Sequence, residues 1–160
     1  MTDTRSSADL ATTEAPQQDD GRQGRIVVGV DGSHSSIEAL RVAVRTAQAF
    51  GTSLEAVATW TYPVGAEVAL LSGWSPEEDA QEILEAVAEQ VFGGDRPPWF
   101  SAKAQSGLAA RVLIEESVGA QMLILGSRGR GGFVGLLLGS VSAACAQHAH
   151  CPVLIVRSAS

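Results

Sequence analysis

The chain is almost without lysine. Lys103 is the only one in 160 residues, and the net charge is -7. That scarcity excludes two functions at once. A sequence-independent grip on nucleic acid needs a Lys/Arg surface to displace counterions from phosphates. A P-loop, G-x4-G-K-[ST], needs its lysine inside a glycine loop, and Lys103 lies in none. Cysteine is scarce as well, with two residues. Cys145 and Cys151 enclose His148 and His150 in the spacing C-x2-H-x-H-C. Zinc patterns pair their ligands across a loop of about a dozen residues, so no metal is predicted here. Cys145 is expected to face the core as a small hydrophobe. No apolar block of signal-peptide type lies in residues 1–25, and a cytoplasmic protein without a disulfide is expected. Residues 131–156 contain no Asp, Glu, Lys or Arg and are long enough to span a bilayer, but Gln147, His148, His150, Cys151 and Pro152 interrupt them. No membrane segment is predicted.

What remains suits one domain with a real core. Residues 1–24 are rich in Thr, Ser, Gln and Asp and poor in apolar residues. They are predicted to be a disordered tail, because they bury too little surface to offset their ordering entropy. The domain is expected over residues 25–158. The run RIVVGVD reads as a buried strand feeding a turn, followed by a helix over 36–50 with Ile37, Leu40, Ala43, Val44 and Ala47 on its buried side. Gly51 is the expected stop. A strand over 54–60 follows. Ser75, Pro76 and Glu78 announce a helix by N-cap, first-turn proline and capping box. A weaker strand over 99–105 is placed at a sheet edge. The remaining elements are a helix over 109–118, a strand over 121–125, a helix over 141–149 and a strand over 152–157. Residues 61–74 are irregular.

Five strands alternating with four helices predict an α/β fold, a three-layer sandwich around a mainly parallel, Rossmann-like sheet. Ligands bind such sheets beyond the C-terminal ends of strands, where the strand order reverses. Asp31 and Gly126 end the first and fourth strands. If those strands are neighbours, both residues face one crevice.

The richest stretch is GSRGRGGFVGLLLGS, residues 126–140, directly after the apolar run MLIL. Bare backbone lets several N–H groups approach one phosphate. The dinucleotide fingerprint G-x-G-x-x-G fails, since counting from Gly129 its last glycine is Val134. The spacing that fits is G-x2-G-x9-G-[ST], made by Gly126, Gly129, Gly139 and Ser140.

On that spacing after MLILGS, together with RIVVGVDGS and GSVSAACAQHAHCPVLIVR, the chain resembles a universal stress protein of the ATP-binding branch, over all but the tail. The resemblance implies an adenine nucleotide alpha hydrolase-like fold and a site for ATP, with Mg2+ as companion. Gly29, Val30 and Asp31 would meet the adenosine half, with Asp31 accepting from a ribose hydroxyl. Thr59 would lie by the adenine. Gly126, Ser127 and Gly129 would bring the loop to the phosphates. Gly139, Ser140 and Val141 would offer helix N-terminal amides, and Arg128 or Arg130 would neutralise the outer charge. Asp31 as a cap for the following helix is the competing assignment. His34 is expected at the surface and the three tryptophans in packing, with Trp60 near enough to flank a base.

No carboxylate or histidine lies between Gly126 and Gln147, so no catalytic residue is assigned. Phosphoryl transfer needs a positioned base or water. The expected function is a nucleotide-dependent regulatory switch of the stress response. The alternatives are a slow ATPase on the same fold and a scaffold that binds no nucleotide. The family commonly dimerises, and the apolar strand from Pro152 to Arg157 would leave an open edge, so a homodimer through it is expected.

Overall fold

The computed structural model describes residues 24–65, 71, 73–130 and 137–157. Most of the predicted tail, part of the irregular segment and the middle of the glycine stretch lie outside the described residues. Five strands are present, β1 (Arg25–Gly29), β2 (Ser53–Trp60), β3 (Phe100–Ser106), β4 (Met122–Gly126) and β5 (Val153–Val156). Between them run α1 (His34–Phe50), α2 (Pro76–Phe92), α3 (Ala109–Glu116) and α4 (Ser140–His148).

All pairings are parallel, and the strand order is β3-β2-β1-β4-β5. Strand β1 lies in the middle with Val28 opposite both Ala56 and Ile124. The chain moves outward from β1 to β3, then crosses back to β4 on the other side. The order therefore reverses between β1 and β4, and that junction opens the crevice.

Alternation along the buried strands divides the core into two layers. Ile26, Val28, Leu54, Ala56, Ala58 and Ile124 face one side, where Leu40, Ala43 and Ala47 of α1 and Ala80, Leu84 and Val87 of α2 cover them. Val27, Val57, Leu123 and Leu125 face the other, under Val112 and Leu113 of α3 and the fully buried Cys145 of α4. Each fully buried Leu, Ile or Val contributes roughly 1.5–3 kcal/mol of transfer free energy. Trp60 and Trp99 pack at the edge of the first layer, while Trp74 donates its ring N–H to Asp79 at 2.8 Å.

Helix ends follow their local chemistry. The α1 helix begins at His34, two residues before the expected start, because Ser33 is its cap and its hydroxyl accepts from the Ser36 N–H at 3.2 Å. Asp31 is thus not the cap of α1. Gly51 ends α1 in the left-handed region at φ 63°. Ser75 caps α2, with Pro76 in its first turn as expected. Helix α3 closes at Glu116, short of the predicted 118.

At the N-terminal end of the sheet the chain buries charge. The Arg25 guanidinium meets the Glu116 carboxylate at 2.6 Å and lies 3.7 Å from Glu55. Lys103 reaches Glu55 at 2.6 Å and Glu116 at 3.0 Å. Burial raises the Glu116 pKa, but Lys103 and Arg25 together outweigh it and hold the carboxyl below its ordinary value. The network joins β1, β2 and β3 to the end of α3. Among the described residues, no helix is long and apolar enough to cross a membrane.

Candidate functional site

At the C-terminal ends of β1, β2 and β4 lies a cavity of about 510 Å³. Every residue assigned to the nucleotide in the sequence lines it except Ser127: Gly29, Val30, Asp31, Thr59, Gly126, Arg128, Gly129, Gly139, Ser140 and Val141. Asp31 and Gly126 do share one crevice, because β1 and β4 are hydrogen-bonded neighbours. Ser127 is buried beneath the wall, where its N–H donates to Val156 at 2.8 Å and its carbonyl accepts from Gly139 at 2.8 Å. It ties the loop to β5 and to the start of α4.

The apolar half of the cavity is formed by Val57, Leu113, Leu125 and Val141. Thr59 belongs to this face because it stands two residues beyond Val57 on β2. Trp60 has the opposite parity and packs with the α1/α2 layer. It is a packing residue, as expected of the tryptophans, and does not line this cavity.

Each glycine of the loop has its own reason. A Cβ on Gly126 would strike the Ser35 hydroxyl and come within 2.7 Å of the Ser35 carbonyl carbon, so bare backbone here lets α1 sit against β4. A Cβ on Gly129 would lie 2.5 Å from Asp31 Oδ2. Gly139 differs. Its φ is -69°, and the nearest atom to an added Cβ is Arg128 Cα at an ordinary 3.5 Å. Among the described residues, none crowds a Cβ at 139, and Gly139 lines the cavity.

Asp31 is held from both sides. Its Oδ1 accepts from the Ser33 N–H at 2.9 Å, and its Oδ2 accepts from the Arg130 N–H at 2.8 Å. Burial pushes its pKa up, but the Ser33 side chain, then the Ser33 and Arg130 amides and the Ser36 side chain, outweigh that and leave the carboxyl below its ordinary value. It is ionised at neutral pH.

Two helices point their first turns at the cavity without a side-chain cap. Helix α4 starts from Gly139 and α3 from Leu108, and neither residue's side chain accepts from the first turn. Ser140, Val141 and Ser142 of α4, and Ala109 of α3, line the space. First-turn N–H groups have no partner within their own helix and carry the positive end of the dipole. Uncapped ends beside a cavity are ready to bind an anion. By contrast α1 and α2 are capped by Ser33 and Ser75.

Sequence reasoning missed Ser36, Val57, Ala109, Leu113, Leu125 and Ser142 on the wall. Ala109 and Leu113 could have been found from the rule that the helix after an edge strand returns over the sheet. Ser36 and Ser142 carried no pattern that separated them from ordinary helix serines. His34 is exposed and does not line the cavity.

Residues 23–157 match the universal stress protein family. The chain belongs to that family. It is 36% identical over 135 residues to a universal stress protein of Mycolicibacterium smegmatis, covering 82% of this chain and 45% of that protein. With a universal stress protein of Mycobacterium tuberculosis it shares 37% identity over 141 residues, 86% of this chain and 47% of the relative. The chain thus spans about half the length of the curated relatives it matches. Among solved structures, a universal stress protein from Lactobacillus plantarum superposes with a TM-score of 0.71 at 22% identity, covering 85% of this chain and 99% of that one. A universal stress protein solved in complex with cAMP gives a TM-score of 0.65 at 25% identity, over 85% of this chain and 98% of that chain. An Arabidopsis thaliana family member with AMP bound gives 0.55 at 19% identity, over 86% and 93% of the two chains.

Proposed function

We propose that this universal stress protein binds an adenine nucleotide, ATP accompanied by Mg2+, in the crevice between β1 and β4, and acts as a nucleotide-dependent switch. The single observation that carries the reading is the convergence of two uncapped helix N-termini on one cavity that also holds an ionised carboxylate and an apolar slot. The amides of Ser140 to Ser142 suit phosphate oxygens. The apolar wall of Val57 and Leu113 suits a base, and Asp31 retains lone pairs for a sugar hydroxyl. Relatives in complex with cAMP and with AMP support the adenine class.

The residues present fit the nucleotide. Among the described residues, none crowds the space beside Gly139 on the cavity wall. Mg2+ would arrive on the phosphates, because among the described residues no group of three His, Cys, Asp or Glu is arranged to hold a metal ion. Binding is favoured over turnover because the Asp31 oxygens already accept from backbone amides. A base with both oxygens so engaged is poorly placed to activate water.

In its assembled form the protein is a cytoplasmic homodimer paired along β5, which ends the sheet with Leu154 38% exposed. An open apolar strand edge of this kind is stabilised by a second chain.

Calorimetric titration of the full chain with ATP, after native mass spectrometry of the purified protein, tests the reading. Saturable binding that Asp31→Ala weakens is expected. No co-purifying nucleotide and no titratable heat would overturn it in favour of a scaffold. Phosphate release above a heat-killed blank, lost in Gly129→Val, would instead establish a slow ATPase.

A further inference from the structure

Asp31 presents an electrostatic problem for the function just proposed, and this inference rests on that reading. A negative carboxylate on the wall of an anion site repels the ligand's phosphates. Its retention there calls for a role that outweighs the repulsion, and the geometry supplies one.

The two oxygens of Asp31 join segments far apart in the chain. Oδ1 fixes the turn into α1 through the Ser33 N–H, and Oδ2 holds the glycine loop through the Arg130 N–H, across a separation of 99 residues. Both bonds require acceptors. Asparagine has the same shape but only one acceptor oxygen, and its NH2 would be turned toward an N–H donor. Gly129 is the other half of the fit, since a Cβ there would stand 2.5 Å from Oδ2. From the second side the loop is held by the Arg128 N–H, which reaches the Ser35 hydroxyl at a long 3.4 Å. The charge-assisted bond to Asp31 is shorter by more than half an ångström and is the stronger restraint.

We infer that Asp31 is a positioning residue for the anion loop: with Ser127 anchored to Val156 and Gly139, Asp31 accepts from the Arg130 amide and so sets residues 128–130 in the arrangement that receives phosphate, whatever it adds at the sugar. Nucleotide affinity then depends on Asp31 even for a ligand with no sugar. A carboxylate acting only on ribose has no such effect.

Tripolyphosphate, which carries neither base nor sugar, separates the two roles. Calorimetric titration of the full chain and its variants should show Asp31→Asn binding tripolyphosphate about tenfold more weakly, although a repelling charge has been removed. Gly129→Ala, which leaves the charge intact and crowds the same contact, should lose a similar factor. The double variant should be no weaker than the worse single one, as two changes to one contact are not additive. Hydrogen exchange supplies a readout without ligand: the Arg130 amide should exchange faster in Asp31→Asn while amides of β1 and β4 keep their protection. Unchanged or tighter tripolyphosphate binding by Asp31→Asn, or an unchanged Arg130 exchange rate, overturns the positioning role. Wild-type protein that binds neither ATP nor tripolyphosphate overturns the nucleotide reading itself, and the exchange rate then still decides the latch. Wild-type binding of ATP with an indifferent Asp31→Asn removes the latch alone.

Discussion

The Ser142 hydroxyl donates to the Gly126 carbonyl at 2.7 Å, joining the first turn of α4 to the last residue of β4. The strand's last peptide and the helix's uncapped end are thereby held in one frame. Ser142 is buried, so replacing it by alanine leaves a shielded carbonyl without that partner. Ser142→Ala should cost about 1–3 kcal/mol in stability. A lower thermal midpoint by calorimetry, accompanied by weaker ATP binding, is the expected pair of readings.

Gly126 and Gly139 should respond oppositely to alanine. At 126 the new methyl collides with the backbone of Ser35, and α1 must move off β4. Gly126→Ala should destabilise the protein by at least about 2 kcal/mol, as forced overpacking does. At 139 the methyl meets only ordinary contacts at φ -69°. Gly139→Ala should keep or slightly raise the melting temperature, by up to about 1 kcal/mol. If the proposed nucleotide places a phosphate there, the methyl should nevertheless weaken ATP binding roughly tenfold or more. Thermal scans beside titrations distinguish the two.

Acid should loosen the sheet's N-terminal end first. Glu116 has a folded-state pKa below its ordinary 4.5, through Lys103 and Arg25. A depressed carboxylate contributes stability that is fully present above the unfolded value and is lost as pH falls through the folded one. The charges surrounding it are Arg25, Lys103 and Glu55. Urea midpoints should therefore fall as the pH drops below the ordinary carboxylate value of 4.5, and Glu116→Gln should flatten that part of the profile while lowering stability at pH 7.

Leu154→Arg places a charge on the exposed edge strand. If chains pair along β5 as proposed, light scattering after size exclusion should show dimeric wild type and monomeric Leu154→Arg, with nucleotide binding unchanged. A variant that remains dimeric would relocate the interface away from β5.

Much of this fold was legible because its signals are local. Periodicity in 36–50, the Ser75-Pro76-Glu78 start and the glycine at 51 each report a nearby physical constraint, and all three were read correctly. Asp31 was harder. As an acidic residue ahead of a helix it fits a cap, yet Ser33 holds that position, and the true partner of Asp31 Oδ2 lies 99 residues away. Trp60 packs against the core, as expected of the tryptophans, although it stands beside Thr59 in the sequence. One step along a strand reverses the side chain's face, and proximity in sequence to Thr59 says nothing about sharing its side. The glycines were recognised as a site, but their separate reasons at Ser35 and Asp31 depend on how α1 meets β4.

The central place of β1 bears on how the chain is made. Its first partner, β2, emerges from the ribosome soon after it, but β4 follows only when most of the domain has been synthesised. Until then the nascent protein carries a strand with the apolar run Ile26 to Val28 and one flank open, an adhesive state during translation. A chain stalled before residue 122 should engage chaperones that a chain completed through β5 releases.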